Sequence, residues 1–121
     1  KNDKLIIADY KATSKKGDVT IDAPWQISYK RQIEIYQWLF RQNGFDVDDM
    51  SYFVYCNGIK DSKVFDNCLN FEVKILPYKA DDSWVNPALE EIKSCLDNDE
   101  LPKQSDSCDY CAYNRKIKLF G

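Results

Sequence analysis

The stretch LIIADYKATSKKGD, residues 5–18, decides how this chain is read. A short apolar run carries Asp9 and Lys11 two residues apart and then gives way to lysines. Residues 4–10, KLIIADY, read as a buried strand, and SKKGD at 14–18 reads as a loop punctuated by Gly17. Successive strand side chains alternate between faces, so Asp9 and Lys11 share one face and Tyr10 takes the other. A carboxylate and an ammonium side by side at the end of a buried strand have two uses. One is an ordinary ion pair. The other is metal-assisted hydrolysis, in which the carboxylate holds a divalent cation and the lysine positions or activates the attacking water.

Beyond the loop, Pro24 and Trp25 lead into QISYKRQIEIYQWLFRQNG, residues 26–44, the clearest helical pattern in the chain. Tyr29, Ile33, Tyr36 and Phe40 recur at helical spacing, Ile35 and Leu39 widen the apolar stripe, and Gly44 follows as a C-terminal cap. Gln32 and Tyr36 lie one turn apart on one face. Gln32 is thus expected near the core side of an apolar stripe, where its amide needs partners. Those partners are either backbone groups at the neighbouring strand's end or, together with Tyr36, the place where Asp9 and Lys11 sit.

Residues 50–58, MSYFVYCNG, read as a second strand closed by an Asn57-Gly58 turn. A third strand spans 70–78, with Phe71, Val73 and Ile75 alternating against Glu72 and Lys74, as on a strand with one wet face. Asn86-Pro87 opens a helix with Leu89, Ile92 and Leu96 on one side. Residues 98–107 are polar and loop-like, and SCDYCAYNRKIKLFG closes the chain. The order is strand, helix, strand, strand, helix and a cysteine-bearing tail over 101–121. This pattern fits one α/β domain over residues 1–121.

Composition bounds the function. The chain has 121 residues, 44% hydrophobic and 14% aromatic, enough for a modest single core. No apolar run approaches the roughly 18 residues of a membrane span. There is no signal peptide, and the opening on Lys1 rather than Met suggests a piece of something longer. The net charge is −3, so binding to a polyanion requires a local basic patch. Five cysteines, an odd number, fit a reducing compartment such as the cytoplasm better than a disulfide framework. There is no histidine. That excludes Ser-His-Asp and Cys-His nucleophile systems and HExxH zinc sites unless another chain supplies the imidazole.

A strand carrying hydrophobics-D-Y-K (Asp9-Tyr10-Lys11), then a helix with Q-x-x-x-Y (Gln32 to Tyr36), resembles the RecB-like branch of the PD-(D/E)xK nuclease superfamily. That branch includes the RecB and AddB nuclease domains and the CRISPR-associated RecB-like exonucleases. The closing Pro102…Cys108-Asp109-Tyr110-Cys111-Ala112-Tyr113 is similar to the branch's proline-then-CxxC tail. The resemblance implies a restriction-endonuclease-like core, a mixed central sheet flanked by helices, and phosphodiester hydrolysis of DNA in repair, recombination or phage-related processing. It implies that Asp9 and the Tyr10 carbonyl bind Mg²⁺ or Mn²⁺, hard cations that suit oxygen ligands. Lys11 would be the catalytic lysine, with Gln32 and Tyr36 shaping the active and DNA-binding site. A helicase or another subunit of a larger assembly is an implied partner. The alternative is a degenerate, non-catalytic nuclease fold that binds DNA or protein.

The sequence departs from the pattern in two places. The Asp of a G-x-x-D motif on a preceding strand, and a His on an earlier helix, have no counterpart. Asp3, Asp18 and Asp22 are on no preceding strand that faces Asp9, so the missing residues are expected upstream and this stretch alone is expected to be inactive. The second departure is the tail. Cys108 and Cys111 have the spacing that places two thiolates on one metal, but no cysteine follows; Arg115, Leu119 and Phe120 occupy the stretch of a last ligand. A tail packing without metal is expected ahead of an iron–sulfur cluster, with a zinc site borrowing Cys95 third. Cys56 and Cys95 read as core residues. Lys15, Lys16, Lys30 and Arg31, with Lys11, would flank one groove and contact phosphates, or else serve solubility. The aromatic residues are expected mostly in the core.

Overall fold

In the computed structural model, which describes residues 3–61, 64 and 67–117, the chain divides into two units, Lys1–Val85 and Asn86–Gly121. The first holds β1 (Ala8–Thr13), a 3₁₀ turn (Pro24–Gln26) running into α1 (Ile27–Gln42), β2 (Met50–Gly58) and β3 (Phe71–Lys79). β2 is central, pairing parallel with β1 and antiparallel with β3. A parallel pair needs a crossover, and α1 supplies it. The α/β expectation holds, as does the mixed sheet. The core lies between α1 and one sheet face: Ile33 and Phe53 are fully buried, with Ile7, Val19, Ile21, Val47 and Tyr55 around them. Burying each of the two largest contributes about 1.5–3 kcal/mol.

β1 begins at Ala8, not Lys4, and runs on to Thr13. The cause is a slip in pairing. Leu5 bridges Val47, yet Ala8 pairs Tyr52, so three residues along one side match five along the other. The extra residues leave the Asp48 and Asp49 carbonyls off the regular β1–β2 ladder, and the Gln37 side chain donates to both, at 2.9 and 3.2 Å, and to Ser51 Oγ at 2.9 Å. Because pairing with β2 continues to Thr13, Asp9 and Lys11 lie in mid-strand rather than at a strand exit.

The buried side of α1 also differs from the expected stripe. Its buried residues are Ile33, Glu34 and Gln37, with Gln26 buried just ahead of it, whereas Ile35, Tyr36, Leu39 and Phe40 are exposed. The helix is turned by about one residue, roughly 100°. The reason is hydrogen bonding. Gln26 donates to the Thr20 carbonyl (2.7 Å) and accepts from Ala23 N–H (2.9 Å), and Glu34 accepts from the Tyr78 hydroxyl and from Trp84 Nε1 (2.7 Å). These polar side chains satisfy loop and sheet-edge groups that leucines in their place would leave orphaned, each at a cost of about 1–3 kcal/mol. The helix ends as expected at Gly44 (φ 83°). Gly44 N–H donates to the Arg41 carbonyl and Phe45 N–H to that of Phe40, while the Phe40 and Phe45 rings meet edge-on at 5.6 Å.

Asn57-Gly58 is not a hairpin turn. Both residues remain in the ladder opposite Glu72 and Phe71, and the connection to β3 spans residues 59–70. β3 is also turned over relative to the expectation. Leu76 and Tyr78 pack on the core, and Phe71, Val73 and Ile75 face the opposite side, where they are exposed. They share that second face with Tyr10 and Val54, so both sheet faces are largely apolar. The aromatic residues are likewise less buried than expected: Tyr10, Trp25, Tyr36, Phe71, Tyr110 and Tyr113 are exposed.

The second unit holds the remainder of α2 (Val85–Leu96) and α3 (Asp109–Ile117). α2 starts at Val85, so Asn86 lies inside its first turn rather than capping it. Leu89, Ile92, Cys95 and Leu96 are exposed, and Cys56 is half-buried on β2, so neither cysteine is a core residue. The tail forms a helix, α3, with Cys108 at its entry, its carbonyl accepting from Ala112 N–H at 2.9 Å. Leu119 and Phe120 lie outside the described residues.

Candidate active site

Asp9 and Lys11 project from β1 toward α1, their side chains 13% and 17% exposed, with Lys11 Nζ 2.7 Å from Asp9 Oδ2. The same ammonium donates to Gln32 Oε1 at 2.8 Å, and Gln32 Nε2 donates to the Tyr36 hydroxyl at 2.7 Å. The Tyr29 ring lies beneath, 4.4 Å from Lys11 Nζ to its centroid. The four residues therefore form one polar line, Asp9–Lys11–Gln32–Tyr36, from the edge strand up the flank of α1. The helix turn that lifts Leu39 into solvent also brings Gln32 over Lys11. Gln26 helps fix that turn: its amide reaches Tyr55 Oη at 3.3 Å on β2, opposite Lys11 in the ladder. Burial pushes the Tyr55 hydroxyl above its ordinary value, against the opposing bond from Gln26.

Lysine carries three protons. Asp9 and Gln32 take up two directions around Nζ, and the remainder is available to water or to a phosphate oxygen. The Lys11–Asp9 contact is ionic rather than a directed hydrogen bond, so Asp9 Oδ2 is buried without a donated hydrogen bond. A neighbouring backbone oxygen adds to this. The Ile7 carbonyl accepts from Tyr52 N–H, and alternation along a parallel-paired strand turns the Tyr10 carbonyl away from β2, to the side of β1 that pairs with no strand among the described residues.

A buried carboxylate oxygen that accepts no hydrogen bond and, on the next residue, an outward carbonyl offer hard oxygens, and Mg²⁺ characteristically takes one or two carboxylates plus waters and substrate phosphates. The residues present fit such an ion as partial ligands. Among the described residues, no group of three or more His, Cys, Asp or Glu side chains converges on one point.

The basic residues do not share one groove. Lys15 and Lys16 line an open cleft of about 560 Å³ with Asn57, Lys60, Asp61 and Glu72. Lys16 pairs with Asp61 at 3.5 Å, and the Asn57 amide clamps the loop by accepting from Lys15 N–H (2.9 Å) and donating to its carbonyl (3.2 Å). Arg31 lines a separate groove on α1 and lies over the Trp84 ring. Lys30 turns the other way, over the Tyr78 ring and within 3.5 Å of Asp22. Cys108 and Cys111 are free thiols. Bonds from Cys111, first from its backbone, lower the Cys108 thiol's value, and that of Cys111 is raised.

Sequence reasoning missed Gln26, Glu34, Gln37 and Asn57, which hold the frame around Lys11. One signal was available: Gln26, Lys30, Ile33, Gln37 and Arg41 recur at helical spacing as a stripe of their own.

A family model described as PD-(D/E)XK nuclease superfamily matches residues 1–115. No curated protein and no solved structure matches the chain.

Proposed function

Since this chain belongs to the PD-(D/E)XK nuclease superfamily, we propose that it is a metal-dependent deoxyribonuclease whose working groups are Asp9, Lys11, Gln32 and Tyr36. The observation that carries the reading is the polar line from Asp9 to Tyr36, running from β1 of a restriction-endonuclease-like sheet to α1. Asp9 and the Tyr10 carbonyl would hold Mg²⁺ or Mn²⁺, which supplies a Lewis acid at the scissile phosphate and a more acidic bound water. Asp9 draws the Lys11 ammonium to the strand face, and Gln32 fixes its direction by accepting one proton. A further Lys11 proton then points at the attacking water or at a phosphate oxygen whose charge grows during hydrolysis. Tyr36 accepts from the Gln32 amide and so keeps Gln32 Oε1, not the amide NH₂, toward Lys11.

Duplex or single-stranded DNA is the substrate class, and repair, recombination or phage-related processing the natural setting. The RecB-like branch is favoured by Gln32 and Tyr36 acting together. A helicase or other subunit is a natural partner, and the odd count of five cysteines suits a reducing cytoplasmic setting. The Asp9 carboxylate stands alone in this line, so a further carboxylate is proposed from upstream of Lys1. The same solitary carboxylate favours the second reading, a degenerate fold that binds DNA or protein without cutting.

The test is cleavage of linear and circular DNA with Mg²⁺ or Mn²⁺ by the protein extended upstream by roughly a hundred residues, the rest of one ordinary domain. Loss of cutting in Lys11→Ala supports the reading. A folded, extended protein that cuts neither form overturns it in favour of binding.

A further inference from the structure

The tail of the chain holds a pair of side chains that the nuclease reading leaves unused. Cys108 stands at the entry of α3, and Cys111 follows three residues on, in its first turn. The Cys108 carbonyl accepts from Ala112 N–H at 2.9 Å, so the turn that joins the two cysteines is helical. Residues three apart in such a turn share a flank, with Cα atoms about 5 Å apart, inside the roughly 4.4–6.8 Å that a disulfide spans. Cys108 precedes the first helical residue, where the backbone is only half committed to the helix and can turn to bring the sulfurs together. Both thiols are half-buried. Cys56, Cys68 and Cys95, by contrast, have no other cysteine within four residues.

Two thiolates make only half of a tetrahedral metal site, and among the described residues no third His, Cys, Asp or Glu completes a ligand set with them. What two adjacent thiols can do without a metal is exchange electrons. Arg115 lies one turn beyond Cys111, and its Nη1 donates to Gln104 Oε1 at 3.1 Å. The guanidinium therefore points back toward the helix entry, where its charge favours the Cys108 thiolate. We propose that Cys108 and Cys111 are a reversible dithiol–disulfide couple, oxidised by a small disulfide of the glutathione class. The Cys108 thiolate attacks one sulfur of the oxidant, forming a mixed disulfide and expelling one thiolate. Cys111, having lost its proton, attacks the Cys108 sulfur, closes the ring and expels the second thiolate. The protein gives up two electrons and two protons, and the oxidant's S–S bond becomes two thiols. In a reducing setting the pair rests open; an oxidising one fastens the entry of α3.

The experiment incubates the whole chain, fully reduced, with glutathione disulfide, quenches with iodoacetamide and weighs the tryptic fragments. Cleavage after Lys103 and Arg115 yields residues 104–115, whose only cysteines are Cys108 and Cys111. The expected fragment is two hydrogens lighter than the dithiol and bears neither glutathione nor an alkyl group. With about 0.1 mM reduced glutathione present, an effective concentration on the order of millimolar favours this closed form over the mixed disulfide by roughly tenfold or more. Cys111→Ala should instead stop at a glutathione adduct on Cys108, which dithiothreitol removes. Separate adducts on the two cysteines of the native chain overturn the proposal. So does alkylation of both at a glutathione disulfide concentration that loads the exposed Cys95.

Discussion

Removing Lys11 is expected to expose how much of the local fold depends on it. Asp9 is 13% exposed and its Oδ2 has no hydrogen bond besides the ionic contact at 2.7 Å, so Lys11→Met leaves a buried carboxylate uncompensated. Breaking a buried pair from one side costs about 3–5 kcal/mol, and the residual exposure of both groups sets the expectation at the lower end, about 3 kcal/mol. Part of that, about 0.5–1 kcal/mol, is the lost cation–ring contact with Tyr29. Asp9→Asn is milder, about 1–2 kcal/mol, because Gln32 still accepts from the ammonium and no bare charge is left buried. The double variant Asp9→Asn/Lys11→Met removes both charges, and such replacements are often close to neutral. With the singles at about 3 and about 1–2 kcal/mol and the double close to neutral, a coupling of about 4–5 kcal/mol is therefore expected across the cycle. Equilibrium urea unfolding in metal-free buffer reads all four proteins. Should Lys11→Met cost under about 1 kcal/mol and the single costs simply add, the pair behaves as a surface ion pair and its burial carries no energetic weight.

Two further outcomes follow from titration. Burial, and then the Glu34 carboxylate, raise the Tyr78 hydroxyl well above the ordinary tyrosine value, so the folded protein keeps a proton that the unfolded chain releases near pH 10. That contribution is complete below about pH 10 and is lost as pH rises toward the folded value; urea unfolding at pH 9 and 11 should show a smaller loss for Tyr78→Phe than for the native chain, and equal losses would refute it. In the second unit, iodoacetamide labelling followed by mass spectrometry should find Cys108 modified ahead of Cys111 and Cys95, because the thiolate reacts and Cys108 is the thiol whose value is lowered. Cys111→Ala should slow it, and first labelling at Cys111 would contradict this.

The meeting of four polar side chains was easier to read from the sequence than the packing. Asp9, Lys11, Gln32 and Tyr36 were picked out by residue type and spacing, and they do converge, because strand alternation and helical turns fix which residues share a face. What the sequence concealed was which face is the inner one. On α1 two stripes compete, one apolar through Ile35 and Leu39, one polar through Gln26 and Gln37, and hydropathy chooses the wrong one. On β3 the alternation is real, but the sheet is apolar on both sides, so Phe71 and Val73 are as consistent with the second face as with the core. A shift of one residue exchanges the faces, and nothing local forbids it. The start of β1 was hidden for a different reason: the pairing slip at Asp48 and Asp49 belongs to the partner strand.

The buried amides of α1 have a consequence for how the chain can drift in sequence. Greasy contacts are forgiving, since one branched side chain exchanges for another at about 1 kcal/mol and a helix can roll a few degrees to suit. Gln26 and Gln37 work like the teeth of a key: each is cut to a particular carbonyl or hydroxyl, and a roll misaligns them all at once. Tolerance is therefore inverted on this helix. Its hydrophobic residues on the solvent side can be exchanged with little effect on the fold, whereas its two inward glutamines cannot, and the aim of Gln32 at Lys11 follows from the same teeth.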